Sequence, residues 1–434
     1  MDIALIGFAA MLILVLVLRL PIAFAMGLVG FVGFAYSAST PAALALLGQI
    51  VADTPQDYSL SVLPLFILMG NFVSRAGLSQ ELYSASHAFL GHRRGGLAMA
   101  TIVACGGFAA ICGSSLATAA TMSKVAMPSM RKYGYSDSLA TASIASGGTL
   151  GILIPPSVIM VIYGFLTETS IRDLFAAGFL PGFLGVLLYM LAVKFTVIRR
   201  PQDGPAVARM PWPERWRALG GVWGTVVLFI VVIGGIYGGI FTPTEAAGIG
   251  AGGAFLMALL RGRLTVMSTL AILGETARTT AVLFAILMGA LMFSNFMTRT
   301  GLPEALQGFI GGLHVAPIVI ILLILMIYII LGCILESLSM LLLTIPVFFP
   351  VVHHLGYDPI WFGILAVVIT EISLITPPVG LNVFVLASVL PDVKTSTIFR
   401  GIMPFFAADM VRLTLLVFVP AISLFLPHLL YGTG

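Results

Sequence analysis

Two proline pairs interrupt two long apolar runs of this chain, 222 residues apart. The first lies in Gly148-Thr149-Leu150-Gly151-Ile152-Leu153-Ile154-Pro155-Pro156-Ser157 and the second in Glu371-Ile372-Ser373-Leu374-Ile375-Thr376-Pro377-Pro378-Val379-Gly380. Proline lacks a backbone donor and collides with the preceding helical turn, so each pair divides a helix in two. Hydrophobic residues make up 59% of the chain and charged residues only 9%, whereas a soluble domain carries about 25% charged residues. The medium is therefore a bilayer. An interrupted backbone survives there only where it is buried in protein or lines a polar cavity. Matching breaks in two halves point to the binding site of a secondary transporter.

The spacing recurs beyond the prolines. It relates Pro21 to Pro243, Pro128 to Pro350, and Gly134-Tyr135 to Gly356-Tyr357. At a shift of 219, Ile67-Leu68-Met69-Gly70 returns as Ile286-Leu287-Met288-Gly289. At a shift of 224, Arg75-Ala76-Gly77-Leu78 returns as Arg299-Thr300-Gly301-Leu302. Ordered matches at nearly one offset read as two homologous halves, 1–205 and 206–434.

Charge placement orients the segments. Basic clusters at Arg19, at Arg75 with His92-Arg93-Arg94, at Arg131-Lys132, across 194–217, at Arg261 with Arg263, and at Lys394 with Arg400 are assigned to the cytoplasm. Loops at 53–57, 168–173, 299–304 and 353–358 are richer in acid and are assigned to the periplasm. The two sets alternate if about ten segments span and two segments, 97–129 and 316–350, enter and leave on one side as re-entrant helical hairpins. The first hairpin opens to the cytoplasm and the second to the periplasm. Broken helices then occupy about 138–166 and 359–390. The expectation is an all-α polytopic membrane protein built as an inverted repeat, with both termini periplasmic. The first apolar segment, 3–18, has no basic leader or small-residue cleavage site and reads as a retained helix. Two amphipathic stretches, 78–92 and 302–314, are too short and polar to span and read as interfacial helices. They serve either as arms between a fixed scaffold and a moving block or as passive anchors. The proline-rich stretch 199–217, with Trp212 and Trp216 as interfacial anchors, is the natural linker between halves.

The hairpin tips carry the chemistry. The first reads Cys112-Gly113-Ser114-Ser115-Leu116-Ala117-Thr118 and the second Gly332-Cys333-Ile334-Leu335-Glu336-Ser337-Leu338-Ser339. Their carbonyls and hydroxyls are hard oxygen ligands suited to a small hard cation, and the breaks add carbonyls. One tip facing one break gives each half a cation site: Gly113 and Ser115 with Gly148 and Thr149, and Gly332 and Ser337 with Thr376 and Gly380. The bland alternative is that Ser and Gly merely let helices pack closely. Glu336 and Glu371 are acids at membrane depth, and each reads as a cation ligand, a proton carrier or a hydrogen-bonded structural group. Their counterparts in the first half are Ser114 and Thr149. Asp409 and Arg412, spaced i,i+3, read as a neutralised pair on one helix face, while Arg278 has no evident local partner. Cys105, Cys112 and Cys333 lack metal or disulfide spacing and read as packing residues. The histidines, His87, His92, His314, His353, His354 and His428, are scattered towards segment ends. No His-Glu-X-X-His helix, Gly-X-Ser-X-Gly elbow or nucleotide loop is present, so no enzyme activity is expected.

Gly113-Ser114-Ser115, the first proline motif and Leu374-Ile375-Thr376-Pro377-Pro378-Val379-Gly380-Leu381-Asn382 together resemble the large membrane (M, DctM-like) subunit of tripartite ATP-independent periplasmic (TRAP) transporters. The resemblance covers essentially the whole chain. It implies an elevator mechanism driven by a sodium gradient in the bacterial inner membrane, with sodium as coupling ion and no other cofactor. It also implies two partners: a small four-helix membrane subunit and a soluble periplasmic protein that delivers an organic acid anion. No additional N-terminal bundle is present, so the small subunit is expected as a separate polypeptide. No nucleic acid is expected. A sialic acid, a C4-dicarboxylate, a sugar acid and an aromatic or keto acid all suit as substrate. It would lie between Ser114, Ser115, Glu336 and Ser337 on the tips and Pro155, Pro156, Pro377, Pro378 and Asn382 at the breaks. Many members carry Asp where Glu336 stands and an amide or small residue near Glu371, so these two acids are the candidates for proton coupling. The alternative reading is a binding-protein-independent sodium- or proton-coupled anion carrier of related fold.

Overall fold

A computed structural model describes residues 2–312, 315–333 and 335–432. His314 and Ile334 of the second tip lie outside the described residues. Among the described residues all regular structure is helical.

Matching local signals recur at two places along the chain. Gly77 and Gly301 have φ of +81° and +69°, each stopping a long helix in the left-handed conformation that glycine adopts without a Cβ penalty. Short amphipathic helices, Leu78–Leu90 and Leu302–Gly312, follow directly. Next come the two hairpins, Gly96–Cys112 with Ser115–Lys132 and Pro317–Gly332 with Ser337–His354. Gly134 and Gly356, at φ +76° and +79°, end them alike. Ser136 and Asp358 then cap the next helices, accepting from Leu139 N and from Ile360 and Trp361 N. Those helices are the broken ones. Asp137–Thr149 gives way to a short 3₁₀ turn and irregular backbone before Val158–Thr167. Pro359–Ser373 is followed by residues 374–380 and then Leu381–Val389. Both Pro-Pro peptide bonds are cis.

The broken helices lie side by side. Asn382 Nδ2 donates to the Ala145 carbonyl at 2.9 Å, and the Tyr163 hydroxyl donates to the Pro359 carbonyl at 2.6 Å. Residue 145 meets 382 while 163 meets 359, so the two run antiparallel with their breaks together. Helices Ile171–Arg199 and Thr395–Phe418 pack around them.

A second group forms the outer wall. Helices Ile22–Ser37 and Val266–Arg299 cross closely because small residues remove the spacer. A side-chain carbon at Gly30 would lie 2.6 Å from the Phe293 backbone nitrogen. Val62–Arg75 packs on Pro243–Leu260, where Gly250 admits Met69. The wall touches the inner group through Val62–Arg75 on the first hairpin and Val266–Arg299 on the second.

Five described helices are long and apolar enough to cross a bilayer singly, or up to seven if two bent pairs count as one span each. The expectation of about ten spans is higher. Seven more apolar helices are present, but they run only 10–17 residues, below the roughly 20 that one straight span needs. The linker is not a loose strap. Gly95 N donates to Gly204 O at 2.8 Å, Ser136 N to Asp203 O at 3.0 Å and Val207 N to Gly91 O at 3.1 Å, so it is pinned across the open end of the first hairpin.

Candidate functional site at two tips and two breaks

The first tip rests on the first break, backbone against backbone. Gly113 turns the chain with φ +66°. A Cβ there would lie 2.7 Å from the Pro156 carbonyl oxygen, so glycine is required both for the turn and for the approach. From the other side, a Cβ at Gly151 would lie 2.7 Å from Ser114 O, and one at Gly148 would lie 2.9 Å from Ala119 Cβ. Ser114 caps the following helix, its Oγ accepting from Ala117 N at 3.4 Å. Ser115 Oγ donates to the Thr149 carbonyl at 3.2 Å. Ser115 thus meets Thr149, while Gly113 approaches Pro156 and Gly148 approaches Ala119.

The second tip meets the end of helix Pro359–Ser373, where any side chain at Gly332 would collide with Ser373. Glu336 occupies the N-cap of Ser337–His354 but makes no capping bond. Ser337 Oγ is buried and has no partner. Thr376 Oγ1 donates back to Ile372 O at 2.6 Å. Gly380, with φ +58°, restarts the helix, and Asn382 is fully buried.

The two tips face one cavity of ≈ 360 Å³. Gly113, Ser114, Ser115, Glu336 and Ser337 line it. Leu374 and Leu381, flanking the second break, line it too. Pro155, Pro156, Pro377, Pro378, Gly148, Thr149, Gly332, Thr376, Gly380 and Asn382 are not among the lining residues. The opposite side comes from the outer wall: Asn71, Glu275 and Thr279. The sequence reading missed these three. Glu275 carried a usable signal, as an acid within an apolar run. Asn71 carried none, since it sits in an ordinary amphipathic helix. Its Nδ2 donates to Thr276 Oγ1 at 2.9 Å and ties the two wall helices together.

Glu371 faces neither tip. Arg412 Nη2 donates to its Oε2 at 2.6 Å and lies 2.8 Å from Asp409 Oδ1, all three side chains being 0% exposed. The expected Asp409–Arg412 pair is therefore present, but within a triad. Tyr189, which the sequence reading passed over, donates to Asp409 Oδ2 at 2.7 Å.

Apolar helices that carry two hairpins and two interrupted helices onto one polar cavity define a multi-pass membrane transport protein. The family model "Tripartite ATP-independent periplasmic transporter, DctM component" matches residues 9–422, and the chain belongs to that family. It is 37% identical over 379 residues to the C4-dicarboxylate TRAP transporter large permease protein DctM of Pseudomonas aeruginosa, covering 87% of this chain and 88% of the relative. It is 34% identical over 395 residues to the sialic acid TRAP transporter large permease protein SiaM of Vibrio cholerae, covering 91% and 90%. Among solved structures, the Alcanivorax borkumensis YdaH transporter shares the fold with TM-score 0.64 at 17% identity, covering 88% of each chain.

Proposed function

We propose that this large permease subunit carries an organic acid anion inward across the bacterial inner membrane, driven by sodium and delivered by a periplasmic binding protein, with a small four-helix membrane subunit as partner. The observation that carries the reading is the single cavity onto which both hairpin tips converge, backed by two antiparallel breaks. Helix N-termini at Ser115 and Ser337 offer unpaired backbone donors and positive dipole ends to an anion. Ser115, Gly113, Gly148 and Thr149 present hard oxygens for one sodium ion. Gly332, Ser337, Thr376 and Gly380 do so for a second. The relatives named for C4-dicarboxylates and sialic acid support a carboxylate-bearing substrate. The two halves, 1–205 and 206–434, act as inverted repeats, and the hairpins and broken helices move as a block against the wall. Glu336 and Glu371 are the coupling acids if protons contribute.

The test is uptake into proteoliposomes holding both membrane subunits, with the cognate binding protein and its ligand outside. Uptake should require an inward sodium gradient and should vanish without the binding protein. Uptake that persists without that protein would favour the binding-protein-independent carrier. Dependence on a proton gradient alone would overturn sodium coupling.

A further inference from the structure

A buried relay of side chains joins the two breaks, and the transport cycle proposed above uses none of its middle members. Thr149 ends the first half of one broken helix, and Glu371 stands at the equivalent place in the other. Thr149 Oγ1 meets the Tyr189 hydroxyl at 3.1 Å. Tyr189 donates to Asp409 Oδ2 at 2.7 Å, and Arg412 joins Asp409 at 2.8 Å to Glu371 at 2.6 Å. All five side chains are fully buried. Arg412 is held in place by the absence of a side chain at Gly185, where a Cβ would strike Nη1.

We infer that Tyr189 and Asp409 are positioning residues for the first cation site, fixing which oxygens at the first break are free to meet a sodium ion. This assignment rests on the sodium-site reading and on hydrogen-bond direction. Tyr189 has one proton, and it goes to Asp409. With the Tyr189 proton on Asp409, any hydrogen bond between Thr149 and Tyr189 is donated by Thr149. Thr149 also has one proton, which it donates to the Ser146 carbonyl at 2.8 Å or turns to Tyr189 at 3.1 Å. Committing that proton to Tyr189 frees the Ser146 carbonyl. This carbonyl lies in the last turn of its helix, where carbonyls lack helical partners. It also leaves the lone pairs of Thr149 Oγ1 available, while the Thr149 carbonyl already engages Ser115 on the tip. The triad anchors the far end of the relay. Two carboxylates face one guanidinium, and Glu371 Oε1 and Arg412 Nε and Nη1 have no partner.

Sodium chloride is the probe, with choline chloride as control, and the readout is thermal unfolding of the purified chain in detergent. A ligand that binds only the folded state raises the melting temperature along a saturating curve. Tyr189→Phe keeps the ring and removes the relay. Asp409→Asn keeps the shape but offers an amide donor, so Tyr189 would donate to Thr149 and occupy its lone pair. Outer partners of an ion's ligands typically alter affinity by 10–100-fold. Both variants should raise the half-saturating sodium concentration by about tenfold or more, Asp409→Asn the further. The melting temperature in choline alone separately reports any structural loss. Half-saturation within about twofold of the parent in either variant would overturn the relay, so a failure of one variant to fold leaves the other to decide. A parent protein that gains no more from sodium than from choline would instead remove the sodium-site reading itself.

Discussion

At the scale of single residues, the site depends on groups that are absent as much as on groups present. Gly113 has both a left-handed backbone and a carbonyl at van der Waals limit. Gly113→Ala incurs roughly 1–2 kcal/mol from the backbone alone and pushes the tip off Pro156. Sodium-dependent uptake should fall by at least an order of magnitude while the protein still reaches the membrane in folded form. Parent-like uptake by that variant would mean the tip–break contact is dispensable. Arg412 is the opposite case, a group that must be present. Arg412→Met strands two buried carboxylates, and breaking a buried ion pair by removing one partner costs about 3–5 kcal/mol. Thermal unfolding in detergent should show a large drop. Adding Glu371→Gln should recover part of it, because one of the stranded charges is then gone. A double variant no more stable than the single would contradict that account.

At the scale of elements, the two broken helices are held to one another by Asn382 and Tyr163. Asn382→Ala removes one buried hydrogen bond and should cost about 1 kcal/mol. Asn382→Asp sets a carboxylate against the Ala145 carbonyl oxygen and should cost more. Comparing melting temperatures checks the order, and an equal loss would argue that the amide merely fills space. This link also shows where the sequence was legible. The breaks, the tips and the glycine stops follow from local chemistry, because proline removes donors and glycine admits the left-handed turn. The helices accordingly lie close to where composition and punctuation put them. Partners across the molecule left no local trace. Nothing near Asn382 names Ala145, and nothing near Glu371 names Arg412, 41 residues away along the chain. Glu371 therefore reads equally as a cation ligand, a proton carrier or a hydrogen-bonded structural group, and in the fold its carboxylate meets a guanidinium. The wall residues Asn71 and Thr279 were hidden for the same reason: a polar residue on a long helix gives no sign of what it will face.

At the scale of the whole molecule, two packed groups meet along a limited seam. Arg261 Nη1 joins Glu81 at 2.7 Å, tying the wall to the first amphipathic helix. Arg131 contacts both Asp137 at 2.9 Å and Asp392 at 2.5 Å, tying the first hairpin to the broken helices. On charge bias, positions 93, 131, 209 and 261 are expected on the cytoplasmic side and 57, 173 and 358 on the periplasmic side. A membrane-impermeant thiol reagent should label single cysteines at the second set in intact cells and not at the first, and the reverse pattern would overturn the inverted repeat. How the seam behaves during transport separates two mechanisms. An elevator requires the hairpins and broken helices to travel together, so distances within the block stay fixed while distances to the wall change. Local gating requires the opposite, with tips swinging on a static frame. Three exposed positions report this: 274 on the wall, 124 on the first hairpin and 388 beyond the second break. A Cβ at Gly274 meets nothing within 4 Å, so a label there is tolerated. Spin-label distances between 274 and 124 should become bimodal during sodium-driven turnover, and the balance should shift when sodium is withdrawn. Those between 124 and 388 should remain a single population throughout. Ligands move such an equilibrium only by their differential affinity for its states, so sodium and substrate together should favour one population. If the 274–124 distance stays fixed while uptake proceeds, the block does not travel and the tips alone must open the cavity.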